Sequence, residues 1–233
     1  MILIAVPYEA FELVRREKEM QGRVWRLEVP PWDTEELARI AREGFRLLNL
    51  QDPGDAVAEA LARWSYGSPF ITQQLALDLV RHMGVAETVR PAREVLLPEE
   101  RGQLLTASAR RTEPPLFAQV LAGARTKGQE RVKIALKDGT TVDVYGAVLR
   151  AVRELLPSRK MTDRQIKDKL DSLTTDKVAG QRIGSALFQI DKIAEEDRGE
   201  GDPSLRYRDG TLYVLDPFFA FYLAHGPWEA ARE

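Results

Sequence analysis
Two Asp-Gly turn signals, KDGT at residues 137–140 and RDGT at residues 208–211, bracket a long stretch of helical sequence. Asp-Gly supplies the positive backbone angles that a tight hairpin needs, so each marks two antiparallel strands. RVKIAL alternates before the first turn and TVDV returns after it; LRYR and TLYVLDP flank the second. Between the hairpins, YGAVLRAVRELLP has helical spacing. TDRQIKDKLDSL is a second helix, with Thr162 as N-cap and Gln165 at the capping-box position. DKVAGQRIGSALFQIDKIAEED is a third and longer one, with Ile183, Leu187, Ile190 and Ala194 on one face. GEGDP is a loop, and PFFAFYLAHG closes the chain as a helix.

Three helices followed by a two-stranded hairpin is the order of a winged helix-turn-helix. Its recognition helix is expected over Asp176–Ala194, with the apolar stripe inward. Lys177, Gln181, Arg182, Ser185, Gln189 and Lys192 lie away from that stripe, and such side chains contact phosphates and base edges. Arg159, Lys160, Arg164, Lys167 and Lys169 form the most basic cluster, expected on the helix before the turn, and Arg206 and Arg208 on the wing extend it. From Tyr145 to Arg198, however, eleven Lys and Arg are set against nine Asp and Glu. A committed DNA reader is usually more basic, and a polar face is also what any solvated helix presents. Double-stranded DNA and a protein or intramolecular partner therefore both stand as targets.

The N-terminal part has a different grammar. In MILIAVP the continuous run Ile2, Leu3, Ile4, Val6 suits a strand buried on both faces, ended by Pro7 and followed by a helix from Tyr8 to Arg16. Val24, Trp25, Leu27 and Val29 form a second strand, ended by Pro30 and Pro31. Strand, helix and strand at this spacing imply a parallel pair, which needs further strands for stability. A small helical bundle is expected next. DTEELARIAREGFRLLNL opens on a capping box, with Asp33 or Thr34 as N-cap and Glu36 following. QDPGD turns, AVAEALARWS is a second helix, YGSP breaks, and FITQQLALDLVRHMG is a third, with Gly84 as its C-cap. His82 near that end is a helix C-terminal cation or a neutral surface group. From 85 to 129, Pro91, Pro98, Pro114 and Pro115 leave two short helices around a Pro-Pro turn.

Composition removes several classes of chemistry. There is no cysteine, which excludes disulfides and thiolate zinc sites. The two histidines, His82 and His225, are far apart in sequence, and nothing pairs either with a nucleophile. Net charge is −2, so attraction to nucleic acid or membrane must come from a local patch. No apolar run reaches the roughly 18 residues of a membrane span, and the opening run lacks a signal peptide's basic region. A cytoplasmic protein is expected.

In this order, VWRLEVPPWDTEELARIA, YGSPFITQQLA and LRYRDGTLYVLDPFFAFYL resemble the C-terminal part of P-loop ATPases of the AAA+/STAND type. The first resembles the last core strand leading into the lid, the second the Gly-x-Pro lid motif, the third the wing and final helix. The resemblance implies four segments: 1–31 as a remnant of the α/β core, 32–84 as a helical lid, 85–130 as a connector, and 131–233 as a winged-helix domain with an N-terminal hairpin. The expected fold class is mostly α with small β elements. The resemblance also implies that Gly67, Ser68 and Pro69 form a nucleotide lid, Pro69 packing on adenine. The plainer reading is that Ser68 caps a helix and Pro69 takes its first position. MILIAVP stands for the penultimate core strand, with Pro7 and Tyr8 where that strand carries its polar sensor.

The departure from this family is large. No G-x-x-x-x-G-K-[ST] occurs, Gly128 being followed by Gln129, and no apolar strand ends in Asp-Glu to hold magnesium. Phosphoryl transfer needs a phosphate cradle, a lysine and a held metal. The chain is thus expected to hydrolyse no ATP by itself and to meet ATP and magnesium only if a P-loop core comes from another chain or an upstream segment. Its expected role is regulatory: coupling a nucleotide lid to a winged helix that contacts DNA or a partner protein. The alternative is a stand-alone winged-helix transcriptional regulator whose N-terminal region dimerises. Phe218, Phe219, Phe221, Tyr222 and Trp228 are expected chiefly as core.

Overall fold
A capping box opens the first helix, α1 (Thr34–Leu47), as the sequence predicts. Asp33 accepts from the Glu36 N–H at 2.8 Å, and Glu36 accepts from the Asp33 N–H at 2.9 Å. The computed structural model describes residues 30–124, 131–198 and 202–228. The chain divides into two units, Met1–Pro31 and Trp32–Glu233, and every element described belongs to the second. The strands and helix expected over residues 2–29, and with them the α/β-core remnant, lie outside the described residues, as does Gly128-Gln129.

Helix α1 buries Leu37, Ala38, Ala41 and Phe45. Strand β1 (Leu50–Gln51) then pairs in parallel with β2 (Arg93–Glu94), which pins the Pro-rich loop alongside the end of α1. A pairing of two residues has no periodicity to read, so the sequence gives no sign of it. QDPGD forms a 3-10 turn, Pro53–Asp55, before α2 (Ala56–Trp64). The residue next to α2, Asp55, makes no capping bond; Asp52 reaches forward to accept from Val57 and Ala58 at 3.1 and 2.8 Å. Helix α3 (Pro69–His82) ends in a Schellman motif, Gly84 at φ 71° and the Val85 N–H on the Val80 carbonyl at 2.9 Å. Two short helices follow, α4 (Arg101–Arg111) and α5 (Pro115–Ala122), on either side of the Pro-Pro turn. Gly123 stops α5 at φ 66°, and a Cβ there would run into the Tyr145 ring.

The remaining elements have the winged helix-turn-helix order. A short hairpin, β3 (Ile134–Ala135) with β4 (Thr141–Val142), precedes α6 (Val144–Leu155). Then come β5 (Lys160–Thr162), α7 (Asp163–Leu173), α8 (Gly180–Asp197), β6 (Leu205–Arg208), β7 (Thr211–Val214) and α9 (Pro217–His225). The three strands form an antiparallel sheet in the order β5-β7-β6. The wing turn places Asp209 and Gly210 at φ 49° and 69°, the geometry that its Asp-Gly signal predicts. Thr162 and Gln165 complete the capping box of α7.

One apolar core runs from Leu37 to Trp228. Phe117 of α5 stands 5.2 Å from Phe219, 4.7 Å from Tyr222 and 5.6 Å from Trp228, ring centre to ring centre. The aromatic terminus is therefore largely core, Phe218 alone being half-buried. Thr106 of α4 donates to the His225 carbonyl at 3.0 Å, so α9 is fastened to both α4 and α5.

Candidate nucleic-acid interface
Helix α8 starts later than its sequence pattern suggests. Residues 176–179 form a turn in which Thr174 Oγ1 donates to the Asp176 carbonyl at 2.7 Å and the Val178 N–H donates to Asp171 at 3.2 Å. Burial of the Val178 side chain holds this turn against the core. Lys177 is thus exposed on the turn and not on the helix. The first hairpin braces the same turn: the Thr175 N–H donates to the Ala135 carbonyl at 3.1 Å and the Lys137 N–H to the Leu173 carbonyl at 2.8 Å.

From Gly180 onward α8 buries Ile183, Ala186, Leu187, Ile190 and Ala194. Gln181, Arg182, Ser185 and Lys192 are exposed on the other side, and Gln189 is half-exposed. The segment 180–189 carries Arg182 and no acid. All acids of the helix, Asp191, Glu195, Glu196 and Asp197, lie in its last two turns. Asp191 accepts from the Tyr207 N–H of the wing at 2.8 Å.

The basic residues divide by how they are held. Arg206 departs from the expected exposed cluster. It is only 8% exposed, and its guanidinium pairs with Glu195 and stands 3.8 Å from Asp191. Its place on β6, next to α8, turns it inward and leaves it as a clasp between helix and wing. Arg159 and Lys160 are not on the helix before the turn either. Lys160 opens β5, exposed, with its ammonium 5.6 Å from the Tyr213 ring centre. Arg159 is half-buried, donating to the Leu215 carbonyl at 3.3 Å, and burial lowers its pKa. On α7, Arg164 is the most open cation, its side chain 91% exposed and 3.8 Å from Asp168. Lys167 pairs with Asp171, and that bond is the main reason the Asp171 carboxyl is held below its ordinary range. Lys169 and Arg208 are half-buried, and Lys192 lies 3.9 Å from Glu196.

Tyr207 ties the wing to the front of α7. Its hydroxyl donates to Asp163 at 2.7 Å, and burial together with that bond pushes its pKa up to about 12. Asp163, Asp171 and Asp191 are thus each engaged within the domain. One further residue belongs on the open face of α8. Phe188 is 59% exposed, three positions from Ser185 and seven from Gln181. The signal for it in the sequence is helical spacing: Phe188 falls on the same face as Gln181 and Ser185.

Gly67, Ser68 and Pro69 lie together at the start of α3. Gly67 takes φ 83°, Ser68 accepts from the Ile71 N–H at 3.3 Å, and Pro69 holds the first helical position. Ser68 is buried, Pro69 half-buried, and Phe70 beside them is 56% exposed, with its ring 5.6 Å from that of Phe218. Elsewhere, a cleft of about 400 Å³ is lined by Lys137, Asp138, Arg150, Arg153, Glu154 and Ser172. Its cations are already engaged: Arg150 with Thr140 at 2.6 Å, Lys137 with the Ser172 carbonyl at 2.7 Å and Arg153 with Glu154 at 3.8 Å. Among the described residues no group of His, Cys, Asp and Glu is placed to hold a metal, and no helix is long and apolar enough to cross a membrane. Comparison with family models, with curated proteins and with solved structures gave no match.

Proposed function
We propose that this chain contacts double-stranded DNA through its winged helix, with α8 in the major groove. The carrying observation is the outer face of the N-terminal half of α8, which is without an acid, while the acids of the helix are gathered at its other end. Helix-turn-helix proteins read bases from the N-terminal part of the recognition helix, so the acid-free half is the half that the groove would meet. Arg164, Lys169, Lys177 and Lys160 then supply phosphate contacts around it, and Arg206 holds the wing in place without touching DNA.

Within the same proposal, the winged helix belongs to the non-hydrolytic C-terminal portion of an AAA+/STAND-like ATP-binding protein. The α1–α3 bundle would serve as the lid over nucleotide held by a P-loop core from elsewhere. This part rests on the resemblance of YGSPFITQQLA and its companions.

A labelled mixed-sequence duplex titrated with the full chain at stepped salt concentrations tests the DNA reading. Affinity should fall linearly with salt on logarithmic axes, and Arg164→Ala should reduce the slope by about one phosphate contact. Absence of binding even at low salt would contradict it.

A further inference from the structure
Phe188 is unusual for its position. An exposed aromatic ring on an otherwise polar helix face contributes little to folding, and an apolar partner normally docks on a broader patch. The other exposed large apolar side chains among the described residues are Trp32, Leu47, Phe70, Leu77, Leu96 and Val132. All of these precede α6. On α8 Phe188 is thus the single exposed large apolar side chain, with Ser185 one turn before it, Gln181 two turns before it and Lys192 one turn after it. One apolar point among hydrogen-bonding side chains matches the major-groove edge of an A·T pair. That edge offers one methyl group, on thymine C5, beside the adenine N6 and N7 positions that glutamine can bond in pairs. No carboxylate occurs in residues 180–189 to accept from cytosine N4.

We propose that Phe188 is a specificity residue that reads a thymine methyl group, making α8 selective for a site with an A·T pair at its centre. This rests on the DNA reading above. The face has a second consistent feature: Ser185 and Gln181 lie on the same stripe, one and two turns respectively toward the helix N-terminus, where base contacts concentrate.

The test selects a preferred duplex from a random pool with the full chain, then replaces each thymine in turn by deoxyuridine, which removes the methyl and keeps the pairing. At one or two positions the native chain should lose about fourfold in affinity, the worth of burying one methyl group. Phe188→Ala should bind thymine and deoxyuridine duplexes equally, at an unchanged salt slope, while Phe188→Leu should keep part of the discrimination. Salt-sensitive binding with no deoxyuridine effect at any position, or with no enriched sequence, would overturn the methyl contact and leave the DNA reading standing. A chain that binds no duplex at all overturns both, and points to a protein surface for Phe188.

Discussion
Two sets of residues carry the functional expectations, and the fold treats them differently. At the start of α3, Gly67 sets a positive backbone angle, Ser68 caps, and Pro69 opens the helix. Each residue type there has a complete structural reason. On α8, Gln181, Arg182, Ser185 and Phe188 face outward, and none of these side chains takes part in capping or core packing. A residue explained by folding says little about function, whereas an exposed face with no part in capping or packing is free to carry one.

Both sites lie on elements that share one apolar core, and Phe117 packs at its centre against Phe219, Tyr222 and Trp228. Phe117→Ala removes the ring joining α5 to α9 and is expected to cost about 3–5 kcal/mol. Circular dichroism and tryptophan fluorescence should still give coincident denaturation curves; separate transitions would mean two independent bodies. Next in size is a pH effect. His225 lies with its ring 5.1 Å from that of Phe221 and 6.3 Å from that of Tyr66, and burial, reinforced by the Arg153 charge, lowers its pKa from 6.5 to about 4. Its folded pKa is below its unfolded one, so the unfolded chain binds more protons between those values. The neutral ring's contribution is present above pH 6.5 and lost as pH falls toward 4, a change on the order of 3 kcal/mol. Unfolding midpoints across that range should slope for the native chain and flatten in His225→Asn.

Smaller effects sharpen the contrast itself. Ser68→Ala should lower stability by about 1 kcal/mol through the lost cap, and Gly67→Ala by a similar amount through its backbone angle. Gln181→Ala and Ser185→Ala should change stability by no more than about 0.5 kcal/mol. Thermal melts of the four variants would reverse the account if the α8 pair proved the more damaging.

The winged helix was legible because its signals are local. Asp-Gly fixed the wing turn, Thr162 and Gln165 fixed the start of α7, and a 3.6-residue stripe marked α8. The start of α8 was not legible, since Asp176 to Ala179 fits a helix by composition. The turn there is decided by Asp171, seven residues before the N–H that it accepts from. Strand β5 is not legible for a related reason: its three residues, KMT, show no alternation, and their strand character comes from pairing with β7, Lys160 opposite Tyr213. Arg206 illustrates the limit for sites. On a strand of four residues, adjacent basic side chains point to opposite faces, and sequence alone does not say that Arg206 is the one turned toward Glu195.

The most direct test of the contrast measures duplex affinity for one variant from each region at the same low salt. One is Ser68→Ala, which disturbs α3; the other is Gln181→Ala/Arg182→Ala/Ser185→Ala, which strips the open face of α8. Native affinity is expected for the first and a loss of tenfold or more for the second, about 1.4 kcal/mol, at unchanged thermal stability of the second. Equal affinity in both variants, or a loss confined to Ser68→Ala, would contradict it.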